Sequence, residues 1–235
     1  MTTATAAAPR WLALESNPEV LTKYVHKLGA SKEWGLVDVF GLDDKLLAFI
    51  PRPVGALLLL FPAREGVSAG PAAAGGAADA SDSNTESKPK VFFMKQTIEN
   101  ACGTIGLLHS LANSKAPITE ASPLDTFLKA ASDKSPEEKA KLLEENDAIR
   151  KINDEFARQG QTATPNLEDN VDLHFVSIVL VDGHIFELDG RKAAPVQYGV
   201  SSEETFLKDA AAVCKKYMSS APDAINFSLL ALVKM

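Results

Sequence analysis

Apolar positions recur every three or four residues in "SNPEVLTKYVHKLG", where Val20, Leu21, Tyr24, Val25 and Leu28 form one stripe. That spacing predicts a helix. Ser16 and Asn17 supply its cap region, Pro18 suits the first helical position and Gly29 closes it. "WGLVDVFGL" (Trp34 to Leu42) reads as a short strand region, and "ALLLLFPA" (Ala56 to Ala63) as an apolar run of the central-strand type. "VFFMKQ" (Val91 to Gln96) is extended, and a buried helix follows from Gly103 to Asn113, with Ile105, Leu108, Leu111 and Ala112 on its apolar stripe. Ser135 to Gln159 is helical over at least its first half, started by Ser135, Pro136 and a capping-box Glu138. Two strands, "LHFVSIVLV" and "HIFELD", flank Asp182-Gly183, a strong hairpin-turn signal. A C-terminal helix headed by Ser201 and Glu204 and a last strand, "AINFSLLALVK", complete the pattern.

Two stretches lack periodicity. Arg64 to Lys90 is rich in Ala, Gly and Ser with almost no bulky apolar side chain, and reads as a mobile surface loop. Gly160 to Asp172 is polar and punctuated by Gly and Pro, again a loop. Helices and strands are mixed, which implies an α/β (α+β) chain.

Composition narrows the function classes. The chain has 235 residues, 46% hydrophobic and 23% charged, enough for one large domain. The longest apolar run, "VGALLLLFPA", is too short to cross a bilayer, and the N-terminal residues lack a secretory pattern. Two cysteines then argue against a disulfide framework and for a reducing compartment, the cytoplasm and by extension the nucleus. The net charge of −7 disfavours nucleic acid and anionic membrane as partners and permits a basic one. Two Cys and four scattered His lack metal-ligand spacing, so no metal or cofactor is implied.

The candidate chemistry sits in "KQTIENACGTIGLLHS". Cys102 falls at the junction of a polar turn and a helix, where free N–H groups and the helix dipole favour a thiolate. The competing reading is a small buried hydrophobe, the usual fate of a free cysteine. Cys214 lies mid-helix and reads as structural. A cysteine nucleophile needs a base, usually His. His109 follows Cys102 on the same helix by about 10 Å of axial rise, beyond hydrogen-bond reach. His26 lies on the polar side of the first helix and reads as solvated. With Asp182-Gly183 as the turn, Val181 faces His184, Val179 faces Phe186 and Val176 faces Asp189. His174 then shares a face with Asp189, its diagonal neighbour at roughly 7–8 Å between Cα atoms, while His184 stays at the turn. Gln96 lies six residues before Cys102, where its amide could donate to an oxyanion beside the Cys102 backbone N–H.

"QTIENACGTIGLLHSLAN", "DLHFVSIVLVDGHIFELDGRK" and "RWLALESNPEVL" closely resemble the ubiquitin carboxyl-terminal hydrolases, papain-like cysteine deubiquitinases, and most of all their short single-domain members. The resemblance covers nearly the whole chain. It implies one catalytic domain over residues 1–235, a central antiparallel sheet between helices, and a backbone that threads through itself. It implies Gln96 as oxyanion donor, Cys102 as nucleophile, His174 as general base and Asp189 as its orienter. A crossover loop over the site would map to about Lys151–Val171 and favour small or unfolded leaving groups. Ubiquitin is the implied partner, met by a monomer. Asp38 and Asp172 are candidates to contact its basic tail, and Leu14 to pack on its apolar patch. Each has a plainer reading: solvated carboxylates and core packing. Three alternatives remain: a non-catalytic ubiquitin-binding module, a hydrolase for a ubiquitin-like modifier, and a thiol redox sensor. The last lacks a neighbouring resolving cysteine.

Overall fold

The computed structural model describes residues 8–64, 66–68, 89–162, 169 and 171–235. Its first helix, α1 (Pro18–Leu28), starts where the Asn17 carboxamide accepts hydrogen bonds from the N–H groups of Glu19 and Val20, both 3.1 Å. A helix start leaves these donors open, and Asn is among the best residues to satisfy them. The other helices are α2 (Asp44–Leu47), α3 (Cys102–Ala112), α4 (Pro123–Ala131), α5 (Pro136–Glu144), α6 (Asp147–Ala157) and α7 (Phe206–Ser220). The strands are β1 (Trp34–Asp38), β2 (Val54–Pro62), β3 (Leu173–Val181), β4 (His184–Leu188), β5 (Val196–Val200) and β6 (Ser228–Lys234).

All six strands form one sheet in the order β1-β6-β2-β3-β4-β5, and every pairing is antiparallel. β2 is central and apolar on both faces. Ala56 and Leu58 face the layer that holds α1, α3 and α6, whereas Leu57, Leu59 and Phe61 face the layer that holds α7. Period-two alternation on a sheet covered on both sides produces this continuous apolar run. α3 is buried from Cys102 to Leu111, against β2 and β3 on one side and with Thr104 bonded to α1 and α6 side chains on the other. A polar chain ties the helices of the first layer to the N-terminal segment. Tyr24 Oη meets Thr104 Oγ1 at 2.9 Å, Thr104 Oγ1 donates to Asn153 Oδ1 at 2.8 Å, and Asn153 Nδ2 donates to the Leu12 carbonyl at 2.9 Å.

The structure departs from the sequence reading in several places. Ser135 to Gln159 forms two helices. Asn146 accepts from the Ile149 N–H at 2.9 Å and caps a new start, so α5 ends at Glu144 and α6 begins at Asp147. α7 begins at Phe206, not at Ser201. The Ser201 hydroxyl reaches Asp209 Oδ2 at 2.7 Å, and Ser202 and Thr205 close a local turn through their side chains. Such side-chain bonds compete with helix initiation. His26 is half-buried, with Nε2 2.7 Å from the Trp34 carbonyl oxygen, and is not simply solvated. α6 runs to Ala157, so the polar loop starts at Arg158, later than Lys151. Residues 163–168 and 170 of that loop, and residue 65 and residues 69–88 of the Ala/Gly/Ser-rich stretch, lie outside the described residues.

Candidate active site

Three elements converge at one end of the sheet: the C-terminal end of β2, the start of β3 and the start of α3. Asn100 has φ 62°, a left-handed conformation that Asn tolerates, and it turns the extended segment after Val91 into α3. Cys102 is therefore the first residue of the helix. Ala101 at the cap has no side-chain acceptor to offer, so the first-turn N–H groups carry no side-chain cap. A helix start in this condition favours an anion.

The β3–β4 hairpin supplies an imidazole. Asp182 (φ 47°) and Gly183 (φ 75°) both adopt positive φ, as a type I′ turn requires. The register Val181↔His184, Val179↔Phe186 and Ser177↔Leu188 follows directly. It brings His174 and Asp189 together, with Nε2 2.7 Å from Oδ1. Both are buried, and Phe61 packs edge-on against the imidazole at 5.6 Å between centroids. The Arg191 N–H also donates to Asp189 Oδ1, at 2.9 Å. His184 stays at the turn, with Nδ1 2.8 Å from the Asp182 carbonyl oxygen.

The electrostatics are mutual. Burial pushes the Cys102 thiol up, but the neighbouring His174, the Phe175 N–H and the Arg191 charge outweigh it, so the thiol ionises below its ordinary range. Burial pulls His174 down, while Asp189 and Cys102 outweigh it and raise the imidazole above its ordinary value. Burial also opposes the Asp189 charge, yet His174, the Arg191 N–H and Lys192 hold its carboxyl below the usual range. His174 Nδ1 makes no well-formed hydrogen bond, but the ring is near enough to Cys102 for each group to favour the other's charged form. Such an arrangement can form a thiolate–imidazolium pair beside a carboxylate that holds the imidazole.

Gln96 is positioned from the other side. Its backbone N–H donates to the Gly190 carbonyl at 2.9 Å. Its side-chain amide is weakly held: Nε2 donates to the Ile98 carbonyl at 3.3 Å, and Oε1 is buried without a partner. Nε2 is the donor an anion would take, and its one protein bond is long.

Two cavities flank these groups and share Val171. One, of about 350 Å3, is lined by apolar atoms of Leu14, Leu60, Cys102, Leu173 and Phe175. The other, of about 460 Å3, is polar and lined by Gln96, Asn100, Asp172 and Arg191 among others. Leu14 is a core residue that shows only an edge to the first cavity, and presents no broad apolar surface. Asp172 borders the second cavity. Asp38 ends β1, opposite Leu230, and lines neither cavity.

Sequence reading missed Glu15. Its carboxylate accepts from the N–H groups of Gln161 (3.2 Å) and Thr162 (2.9 Å) and from the Thr162 hydroxyl (2.5 Å), on the wall of the apolar cavity. Its partners lie almost 150 positions away, so no local pattern marks it. Arg191, whose charge favours the thiolate, was likewise hidden in a run read only as motif.

The family model described as ubiquitin carboxyl-terminal hydrolase, family 1 matches residues 11–219. The chain belongs to this family. It is 44% identical over 223 residues to a ubiquitin carboxyl-terminal hydrolase of Drosophila melanogaster, covering 94% of this chain and 96% of that one. It is 43% identical to ubiquitin carboxyl-terminal hydrolase isozyme L1 of Homo sapiens, covering 94% and 97%. Among solved structures, the Trichinella spiralis UCH37 catalytic domain bound to ubiquitin vinyl methyl ester superposes with a TM-score of 0.74 at 21% identity, with 96% of each chain covered, and shares the fold. The cysteine-hydrolase family and its antiparallel-sheet architecture agree with the reading of the motifs. Among the described residues, no helix is long and apolar enough to cross a membrane.

Proposed function

We propose that this family member hydrolyses bonds to the C-terminal glycine of ubiquitin through a Cys102 thioester. The carrying observation is the uncapped helix start at Cys102 beside the His174–Asp189 pair at 2.7 Å. The thiolate attacks the glycine carbonyl carbon, and the carbonyl oxygen becomes an oxyanion. The Cys102 N–H and the Gln96 amide donate to it. His174, held in one tautomer by Asp189, passes its proton to the departing amine, alcohol or thiol as the C–X bond breaks. His174 then takes a proton from water, the hydroxide adds to the thioester carbonyl, and the thiolate leaves. The nucleophile is regenerated and ubiquitin departs with a free carboxylate.

The narrow apolar cavity beside Cys102 suits a tail without side chains, as the terminal Gly-Gly of ubiquitin is. Glu15 and Asp172 supply negative charge at the walls for the basic residues that precede it. Small or unfolded leaving groups are the ones this reading expects. Two free cysteines, one of them a nucleophile, are consistent with a reducing, cytoplasmic setting.

The test is release of a fluorophore from the C-terminus of ubiquitin by wild type, Cys102→Ala and His184→Ala. Wild type and His184→Ala turn over and Cys102→Ala does not. Wild type that binds ubiquitin without turnover would make it a binding module, and turnover restricted to a ubiquitin-like modifier would reassign the substrate.

A further inference from the structure

The turn that follows Asp189 does more than carry the carboxylate. Its Gly190 carbonyl accepts the Gln96 N–H at 2.9 Å, and its Lys192 carbonyl accepts Lys95 Nζ at 2.5 Å. The turn is itself fixed: the Lys192 N–H donates to the Asp189 carbonyl at 2.9 Å, and the Lys192 ammonium pairs with the buried Glu187 carboxylate. Gly190 is buried, and a β-carbon built on it would stand 2.9 Å from Gln96 Cβ and 3.0 Å from the Gln96 backbone nitrogen. Its φ lies outside the left-handed region, so an L side chain is conformationally acceptable there. The close approach of Gln96 alone demands glycine. The atoms in the way are backbone and a β-carbon, which cannot swing aside.

We infer that Gly190 is a positioning residue: it seats the oxyanion donor Gln96 directly on the turn that presents Asp189, so that the two halves of the site are set by one backbone contact. The inference rests on the role given to Gln96 above. A methyl group at position 190 pushes residue 96 outward and takes the amide away from the oxyanion. The His174–Asp189 bond is made by side chains that do not touch position 96, and it stays in place.

The experiment is a mutant cycle on ubiquitin–fluorophore hydrolysis, with Gly190→Ala, Gln96→Ala and the double variant. Gly190→Ala lowers kcat about 10²-fold, as misplacement or loss of one oxyanion donor does, and leaves KM within about twofold. In the Gln96→Ala background the same change costs less than about threefold, because groups that act as a unit are not additive. The pH dependence of Cys102 alkylation by iodoacetamide is the same in Gly190→Ala and wild type, which a generally loosened fold would not preserve. Lys95→Met removes the second strut without adding bulk. It lowers kcat by roughly threefold to tenfold, and that loss also vanishes in the Gln96→Ala background. If Gly190→Ala fails to fold, this second cycle decides. Full kcat in either single variant, or equal losses with and without Gln96, overturns the inference while leaving the Gln96 reading intact. Undiminished kcat in Gln96→Ala instead overturns the reading of Gln96, and the inference with it.

Discussion

His174 Nε2 and Asp189 Oδ1 lie 2.7 Å apart across the β3–β4 hairpin, 15 positions apart in the chain. Neither residue lies within the paired run that defines the register, Ser177↔Leu188 to Val181↔His184, so the contact depends on the hairpin staying in register beyond it. Asp189→Asn keeps the shape and removes the charge that fixes the tautomer. It lowers kcat by about 10²-fold or more with little change in KM, measured by steady-state hydrolysis of a ubiquitin–fluorophore conjugate. Undiminished kcat in this variant would deny Asp189 its orienting role.

The thiol and imidazole support each other's charge, so removing one exposes the effect of burial on the other. In wild type, Cys102 alkylation by iodoacetamide proceeds at pH values below the ordinary thiol range. In His174→Gln the inflection moves up in pH, because desolvation then acts with less opposition. Peptide mass spectrometry separates the sites, and Cys214 serves as the internal control. It is fully buried, and its thiol is pushed far up by burial and by Glu187. An unchanged inflection in His174→Gln would mean the pair is not electrostatically coupled.

How legible this site was depends on distance in the chain. The hairpin gave its register through one dipeptide, since Asp182-Gly183 sets pairing outward residue by residue as far as Ser177 and Leu188, and Asp189 follows one residue beyond. The helix start at Cys102 was equally local. The split between α5 and α6 was missed because Asn146 reads as an ordinary polar helix position until its carboxamide is seen on the Ile149 N–H. β5 was missed because its residues are half-exposed and carry no clear alternation. α2 has four residues, too few for a period. Glu15 and Gly190 owe their roles to contacts with residues 161–162 and 96, which no local spacing reveals.

His109 makes an acid-stability prediction. It is fully buried, stacks on Phe93 and accepts the Met94 N–H at 3.1 Å. Burial lowers its pKa from 6.5 to about 4 against weaker favourable hydrogen bonds. The folded state thus holds it neutral, where the unfolded chain takes up a proton below pH 6.5. Its contribution to stability is complete above 6.5 and lost as pH falls toward 4, by on the order of 3 kcal/mol. His109→Gln removes this titration. Urea unfolding across that window shows a shallower loss of stability in the variant; parallel curves would contradict the assignment.

Glu187 is a buried carboxylate outside the chemistry. It pairs with Lys192 and accepts from the Tyr198 hydroxyl at 2.8 Å. Glu187→Ala strands the Tyr198 hydroxyl and leaves Lys192 to water. It destabilises the fold by on the order of 3 kcal/mol, read from the urea midpoint at constant slope. A midpoint unchanged from wild type would show that the cluster contributes nothing net.

The central claim is that Cys102 forms a covalent bond to the end of ubiquitin. The most direct measurement is to mix the protein with ubiquitin carrying a C-terminal vinyl methyl ester and record intact and peptide masses. One adduct per chain, mapped to Cys102 and absent from Cys102→Ala, is the predicted result. No adduct, or an adduct that persists in Cys102→Ala, would contradict the account.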